Sequence, residues 1–207
     1  MLKLENISLK IDGKTLFGAL NLEVNAGQVT TVMGPSGCGK SSLLAFLCGT
    51  LSPIFQTSGK IWLNGKELNE LSPHERKLWI LFQVDLLFPH LSVGENLAFA
   101  LSSKITRNER REKIEQALDE IELSGMSERD PASLSGGQRA RVALMRTLMA
   151  QPEALLLDEP FSKLDQELRG RFRNLVFAHA EKNQLPTLLV THDPADAEAA
   201  GGQIISL

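Results

Sequence analysis

A chain of 207 residues, 43% hydrophobic and 23% charged, can bury a core in one domain with room for an inserted subdomain, and no disordered tail is indicated. A net charge of -3 excludes a strongly basic nucleic-acid surface, and two cysteines, Cys38 and Cys48, make a poor disulfide framework and fit a reducing compartment. No signal peptide is read at the start and no apolar run reaches the roughly 18 residues of a membrane span, so any membrane role is expected to be peripheral.

Residues 2–11 alternate apolar with polar, shift parity near Asn6, and pass through the hairpin turn Asp12-Gly13 toward a second alternating run over 20–24. An antiparallel edge sheet is expected there. Asn25-Ala26-Gly27 then turns into a β-branched, apolar strand over 29–33, and a helix-forming run occupies 43–47. Between them lies Gly34-Pro35-Ser36-Gly37-Cys38-Gly39-Lys40-Ser41-Ser42, which has the Walker A spacing in the required strand, loop, helix context. Glycines let the backbone turn sharply and bring N–H groups close to a ligand, and the helix adds roughly half a positive charge at its start. A nucleoside triphosphate suits such a cradle. Lys40 would reach the outer phosphates as a point charge, the Ser41 hydroxyl would hold Mg²⁺ among phosphate and water oxygens, and Ser42 reads as a helix residue. The motif alone leaves kinase, GTPase and ATPase open.

Residues 59–63 with Asn64-Gly65 read as a hairpin strand able to join the edge sheet. Ser72-Pro73-His74-Glu75 is a capping box with proline at the first helical position, opening a short helix before a strand over 80–82. From about 84 to 150 there is no convincing strand but three helix starts, Ser92 with Glu95, Thr106 with Glu109 and Ser135 with Gln138, which predict a helical insertion. Ile114, Ala117, Leu118 and Ile121 give the second helix its buried face; Gly125 is expected to end it, and Asp130-Pro131 to begin the next loop. After Pro152 the α/β rhythm returns: a strand over 154–157, a helix carrying Leu168, Phe172, Leu175 and Val176, a strand over 187–191, a short helix and a last strand over 203–207.

Two further constellations carry chemistry. Asp158-Glu159 ends a buried strand, and in open α/β sheets ligands bind beyond the carboxyl ends of strands, so both carboxylates can reach a nucleotide on the glycine loop. Asp158 is read as a Mg²⁺ ligand, directly or through water, and Glu159 as the general base that polarises the attacking water. Leu134-Ser135-Gly136-Gly137-Gln138 opens a helix with a serine cap and two glycines exposing N–H groups, a second anion site. Both ends could serve one nucleotide within a chain, or each nucleotide could be shared between two copies.

GPSGCGKSS at 34–42, LSGGQ at 134–138, LLLDEP at 155–160, SKLD at 162–165 and THD at 191–193 occur in this order. With them the chain resembles, over nearly its whole length, the ATP-binding subunits of ABC transporters. The resemblance implies an α/β fold: a P-loop NTPase with a RecA-like core and antiparallel β subdomain over 1–83 and 151–207, and an inserted α-helical subdomain over about 84–150. It implies ATP and Mg²⁺, and ATP hydrolysis coupled to transport. It favours sharing: two copies pair head to tail with ATP between the loop 34–42 of one and Ser135, Gly136, Gly137 and Gln138 of the other, Ser135 and Gly137 meeting the γ-phosphate. Gln83 matches the Q-loop glutamine that senses Mg²⁺ and γ-phosphate and connects to the membrane partner. Asp165 matches the D-loop aspartate that crosses the dimer interface, and His192 the histidine that contacts the γ-phosphate and helps orient Glu159.

Residues 86–93, LLFPHLSV, resemble the importer-type segment beside a groove that receives a short coupling helix, with Leu86, Leu87 and Phe88 as anchors. The alternative is that these residues only pack the helical subdomain. The implied setting is peripheral, on the cytoplasmic face of a bacterial inner membrane, with transmembrane permease subunits and, indirectly, a periplasmic solute-binding protein; nucleic acid is not an expected partner. Two departures bear on function. Ile11 stands near where the family usually places an aromatic residue against adenine, and the chain has no tyrosine, so base choice is expected to be loose unless Phe17 lies close enough to substitute. The chain also ends about fifteen residues after His192, so the regulatory domain of maltose-type ATPases is not expected. A soluble ABC-type switch acting on nucleic acid or ribosomes would better fit a tandem pair, a coiled-coil insertion and a basic excess. An exporter of lipid or lipoprotein shares the enzymology, and the importer-like segment after Gln83 argues against it. The cargo itself is not legible in this subunit.

Overall fold

The parity shift in the first strand is a bulge that dictates its neighbours. In a computed structural model describing residues 1–82 and 85–207, β1 (Leu2–Ile11) turns at Asn6, whose φ of +52° is left-handed. Leu2 and Leu4 before it and Ile7 and Leu9 after it therefore all face the core, each at most 1% exposed. Asn6 and Asn21 hold the bulge through paired backbone and side-chain hydrogen bonds. Across the strand, Gly59 takes φ +97°, and a Cβ there would come within 2.4 Å of the Glu5 carbonyl oxygen, so only glycine fits.

Around β1 runs an antiparallel sheet ordered β2 (Lys14–Val24), β1, β4 (Phe55–Leu63), β5 (Lys66–Glu67). A second sheet is ordered β6 (Leu78–Leu81), β7 (Ala154–Asp158), β8 (Thr187–Val190), β3 (Val29–Met33), β9 (Gln203–Ser206), with β7, β8, β3 and β9 parallel. β7 and β8 are buried at every position, as parallel strands covered on both faces are. Leu43, Leu44 and Leu47 of α1 (Lys40–Cys48) join Leu156, Leu188 and Val190 with the inner face of the antiparallel sheet in one apolar cluster. Buried Arg76 closes the far end of α1 by donating to the carbonyls of Phe46 and Leu47, cations being favoured at helix C-termini. These elements belong to one compact unit, residues 1–80, 152–159 and 171–207.

A second unit comprises residues 81–151 and 160–170. Its helices α2 (Val93–Ala98), α3 (Arg107–Glu120) and α4 (Gly136–Met149) each begin at one of the predicted capping boxes, with both reciprocal hydrogen bonds formed. Ile114, Ala117, Leu118 and Ile121 are buried as expected. Of α5 (Gln166–Lys182) only the first five residues belong to this unit, and α6 (Pro194–Ala200) belongs to the first unit.

Several boundaries differ from the sequence reading. The predicted short helix after Ser72 is a single 3-10 turn, Pro73–Glu75, and the strand that follows starts at Leu78 and stops at Leu81, because left-handed Lys77 (φ +54°) breaks the helix. α3 stops at Glu120, five residues before Gly125; the left-handed residue there is Glu122, φ +56°. β8 ends at Val190, which leaves Thr191 and His192 beyond the strand.

Candidate functional site

β3 delivers the chain into the glycine loop, and its neighbours explain the glycines. A Cβ on Gly34 would lie 2.8 Å from Cys38 Sγ and 3.0 Å from the Leu207 carbonyl oxygen. Gly37 and Gly39 have φ of +80° and +102°, conformations that favour glycine. Lys40 is buried with Nζ donating to the carbonyls of Gly34 (2.8 Å) and Pro35 (2.9 Å), which holds the charge at the loop. α1 begins at Gly39 with no side-chain cap and no acidic residue in its first turn, whereas α2, α3 and α4 are closed by capping boxes. Uncapped N–H groups, a fixed cation and open space around Gly37 fit a polyphosphate.

The end of β7 supplies the acids. Asp158 is 5% exposed, with the Ser41 hydroxyl near enough to act on its carboxylate. Burial pushes its pKa up; the Ser41 hydroxyl opposes the rise, the adjacent Glu159 charge adds to it, and Lys40 opposes it. A hydroxyl and one carboxylate, completed by phosphate and water oxygens, is a donor set that suits Mg²⁺. Among the described residues no group of three or more His, Cys, Asp or Glu side chains could hold a metal ion.

Glu159, next along, takes φ +50°, an uncommon conformation for a residue with a Cβ. Its N–H donates to the Val190 carbonyl (2.9 Å), which locks the turn onto the end of β8. Its Oε1 accepts from His192 Nδ1 at 2.7 Å; a carboxylate only accepts, so Nδ1 carries the proton and Nε2 is left as an acceptor when the ring is neutral. The Glu159 side chain is 10% exposed and that of His192 69%, so the histidine stands between carboxylate and solvent. Thr191 Oγ1 lies 3.4 Å from both Glu159 and Asp196, and Asp196 pairs with Arg173 at 3.3 Å. Thr191, Asp196 and Arg173 form a supporting layer the sequence reading missed; the acid at a buried α6 position was its only signal.

In the second unit Ser135 Oγ accepts from the Gln138 N–H while Gln138 Oε1 accepts from the Ser135 N–H. Gly137 lies beside the Lys163 carbonyl, 3.4 Å from where a Cβ would be. Asp165 caps α5 by accepting the Leu168 N–H at 3.0 Å. Gln83 lies outside the described residues. A groove of about 350 Å³ runs beside Leu86, Leu87, Pro89 and Pro131. Leu86 is 54% exposed, and the Phe88 ring packs tilted at 58° against Phe99, centroids 4.8 Å apart, with the Arg146 guanidinium over its face. Fully buried Asn96 shapes this wall, accepting the Phe88 N–H and donating to the carbonyls of Phe88, Leu91 and Ser92. Phe17 is 8% exposed with its ring against Gly39, so it is a core residue and not the adenine platform expected as a substitute for an aromatic at Ile11.

Comparison with known proteins places these features in a family. The ABC transporter family model matches residues 17–162. The chain is 47% identical to the ABC transporter ATP-binding protein YnjD of Escherichia coli (strain K12) over 96% of this chain and 92% of that protein. It is 44% identical to the thiamine import ATP-binding protein ThiQ of Haemophilus influenzae, covering 99% and 94% of the two chains. It is 39% identical to the Fe(3+) ions import ATP-binding protein FbpC of Vibrio cholerae, but spans only 57% of that protein's length. Among solved structures, a dimeric post-hydrolysis state of the ATP-binding cassette MJ0796 with ADP and Pi matches with a TM-score of 0.85, 29% identity, and coverage of 100% and 94%.

Proposed function

The chain belongs to the ABC transporter family, as an ATP-binding subunit that hydrolyses ATP to power transport, and on that premise we propose how its residues divide the work. The observation that carries the reading is the turn after β7, where Asp158 meets Ser41 of the glycine loop and Glu159 meets His192. The glycine loop and the first turn of α1 hold the phosphates of ATP, Lys40 placing its charge on the outer ones. Ser41 and Asp158 would hold Mg²⁺, which would supply positive charge to offset that of the phosphates. Glu159 polarises the attacking water, and His192 fixes the carboxylate's orientation and presents Nε2 toward the γ-phosphate. Gln83 is assigned to the same sphere by its motif. Almost all of the catalysis is positioning and charge stabilisation, as phosphoryl transfer requires.

Two copies close on ATP, each nucleotide bridging one copy's glycine loop and the other's Ser135 to Gln138 turn, with Asp165 at the interface. Such contacts exist only in the closed pair, the differential affinity through which a ligand drives a conformational change. Shifting a 1:99 equilibrium to 99:1 takes about 5.5 kcal/mol, within reach of two triphosphates with a second anion site each. The groove beside Leu86 and Leu87, in the segment that continues through Phe88, receives a coupling segment of the permease subunits. No helix among the described residues is long and apolar enough to cross a membrane, which fits a peripheral subunit on the cytoplasmic face of the inner membrane. A periplasmic solute-binding protein acts through the permease, in a small-solute importer of the ThiQ and FbpC kind.

Sedimentation of Glu159→Gln with and without MgATP tests the shared site. The variant is expected to bind MgATP, shift from monomer to dimer and turn over very slowly. Near-normal turnover would remove Glu159 as the general base, and nucleotide binding without a shift would contradict closure by the isolated subunit.

A further inference from the structure

Two residues past Gln83, the Asp85 carboxylate sits between two cations from distant parts of the sequence. Its Oδ1 is 3.0 Å from Lys163 Nζ and its Oδ2 3.6 Å from Arg139 Nε. The acid's side chain is 13% exposed and the cations' are 37% and 38%, so the carboxylate is the buried centre of the cluster. Each cation reports to a functional segment. Arg139 directly follows Gln138, and its Nη1 also donates to the Leu134 carbonyl, gripping the turn that holds Ser135. Lys163 lies two residues before Asp165, and its own carbonyl is the atom beside Gly137. Asp85 and Arg139 also line the groove beside Leu86 and Leu87.

We propose that Asp85 is a positioning residue: clamped between Arg139 and Lys163, its carboxylate sets the Ser135 to Gly137 turn and the segment leading to Asp165 in the arrangement that a second copy's ATP must meet. The inference rests on the shared-site reading. The electrostatics explain why one acid suffices. Without the carboxylate, two positive charges share its site, and their repulsion separates the two segments at the point where the Lys163 carbonyl packs on Gly137. Because Asp85 borders the groove, a segment docked at Leu86 and Leu87 bears on the same clamp, which gives the dock a physical route to the ATP-contacting turn.

The test uses the full chain carrying Glu159→Gln, with MgATP-driven dimerisation followed by sedimentation and monomer affinity measured with a fluorescent ATP analogue at dilute protein. Asp85→Asn is expected to weaken dimerisation about tenfold, since two clamps are lost per dimer and a partly exposed charge pair contributes severalfold each. Affinity of the monomer for nucleotide is expected to stay within about twofold, because the glycine loop is untouched. Asp85→Glu should recover most of the loss, and in the Glu159 background kcat should fall with Asp85→Asn and return with Asp85→Glu. Dimerisation unchanged by Asp85→Asn overturns the proposal, as does an equal loss of monomer affinity. If Asp85→Asn does not fold, Lys163→Met replaces it, with a partial loss expected and no loss overturning the proposal. Failure of the Glu159→Gln parent to dimerise instead counts against the shared site itself.

Discussion

Replacing Gly39 by alanine adds one methyl group where two separable costs meet. The backbone there has φ +102°, and holding an L-residue in that region costs about 1–2 kcal/mol. The new Cβ would also lie 3.1 and 3.2 Å from two Phe17 ring carbons and 3.3 Å from Leu16 Cβ, against a ring only 8% exposed, so relief requires shifting packed core, about 1–2 kcal/mol. The total, about 2–4 kcal/mol, corresponds to a fall in Tm of roughly 5–15 °C for a chain of this size. Gly37→Ala is the internal control: its φ is +80° but a Cβ there meets nothing within 4 Å, so only the backbone cost applies and the fall should be about half as large. Thermal unfolding followed by circular dichroism, on both variants and on each combined with Phe17→Leu, separates the terms. Phe17→Leu should relieve Gly39→Ala by about 1 kcal/mol and leave Gly37→Ala unaffected. Equal losses for the two glycine variants, with simple additivity to Phe17→Leu, would refute the argument that Phe17 packs tightly beneath Gly39.

Asp158→Asn is expected to raise the melting temperature of the nucleotide-free protein while abolishing Mg²⁺-dependent hydrolysis. Because burial raises the Asp158 pKa, the folded chain holds that proton to higher pH than the unfolded chain, and this residue's contribution to stability falls as pH rises from the ordinary carboxylate range through the raised value. The stability gain of the variant should therefore appear above that window and vanish below it in a pH series of melts. Ser135→Arg should leave nucleotide binding to the monomer intact and block the MgATP-dependent dimer in the Glu159→Gln background; an undiminished dimer contradicts the shared geometry. With Phe17 buried and Ile11 half-buried at its strand end, ATP, GTP and CTP should drive dimerisation at similar concentrations, and a strong preference for ATP would reveal another base contact.

The fold was legible wherever one residue type answers one physical demand. The shift from Leu2 and Leu4 to Ile7 and Leu9 announced the bulge, and three serine or threonine caps answered by Glu or Gln three residues on marked three helix starts. What escaped was set by tertiary partners. Left-handed Lys77 and Glu122 end helical runs without any glycine to signal it, and Phe17 reads as an available aromatic until β2 packs it against Gly39. At the site, the chain's own order identified Asp158-Glu159 as a strand end. The 2.7 Å contact between Glu159 and His192, the pairing of Arg173 with Asp196, and the Asp85 clamp join residues 23 to 78 positions apart, which no local pattern encodes.

The uncapped start of α1 has a consequence for how this protein experiences its ligand. A side-chain cap contributes about 1 kcal/mol to a helix, and α2, α3 and α4 each carry that contribution within the chain. α1 does not, so a phosphate group supplies from outside the acceptor that the amino acids omit. Binding is then partly the completion of secondary structure, and the first turn of α1 should exchange its amide hydrogens faster than those of the boxed helices until a polyphosphate arrives. Pyrophosphate alone should slow that exchange, and adenosine alone should not.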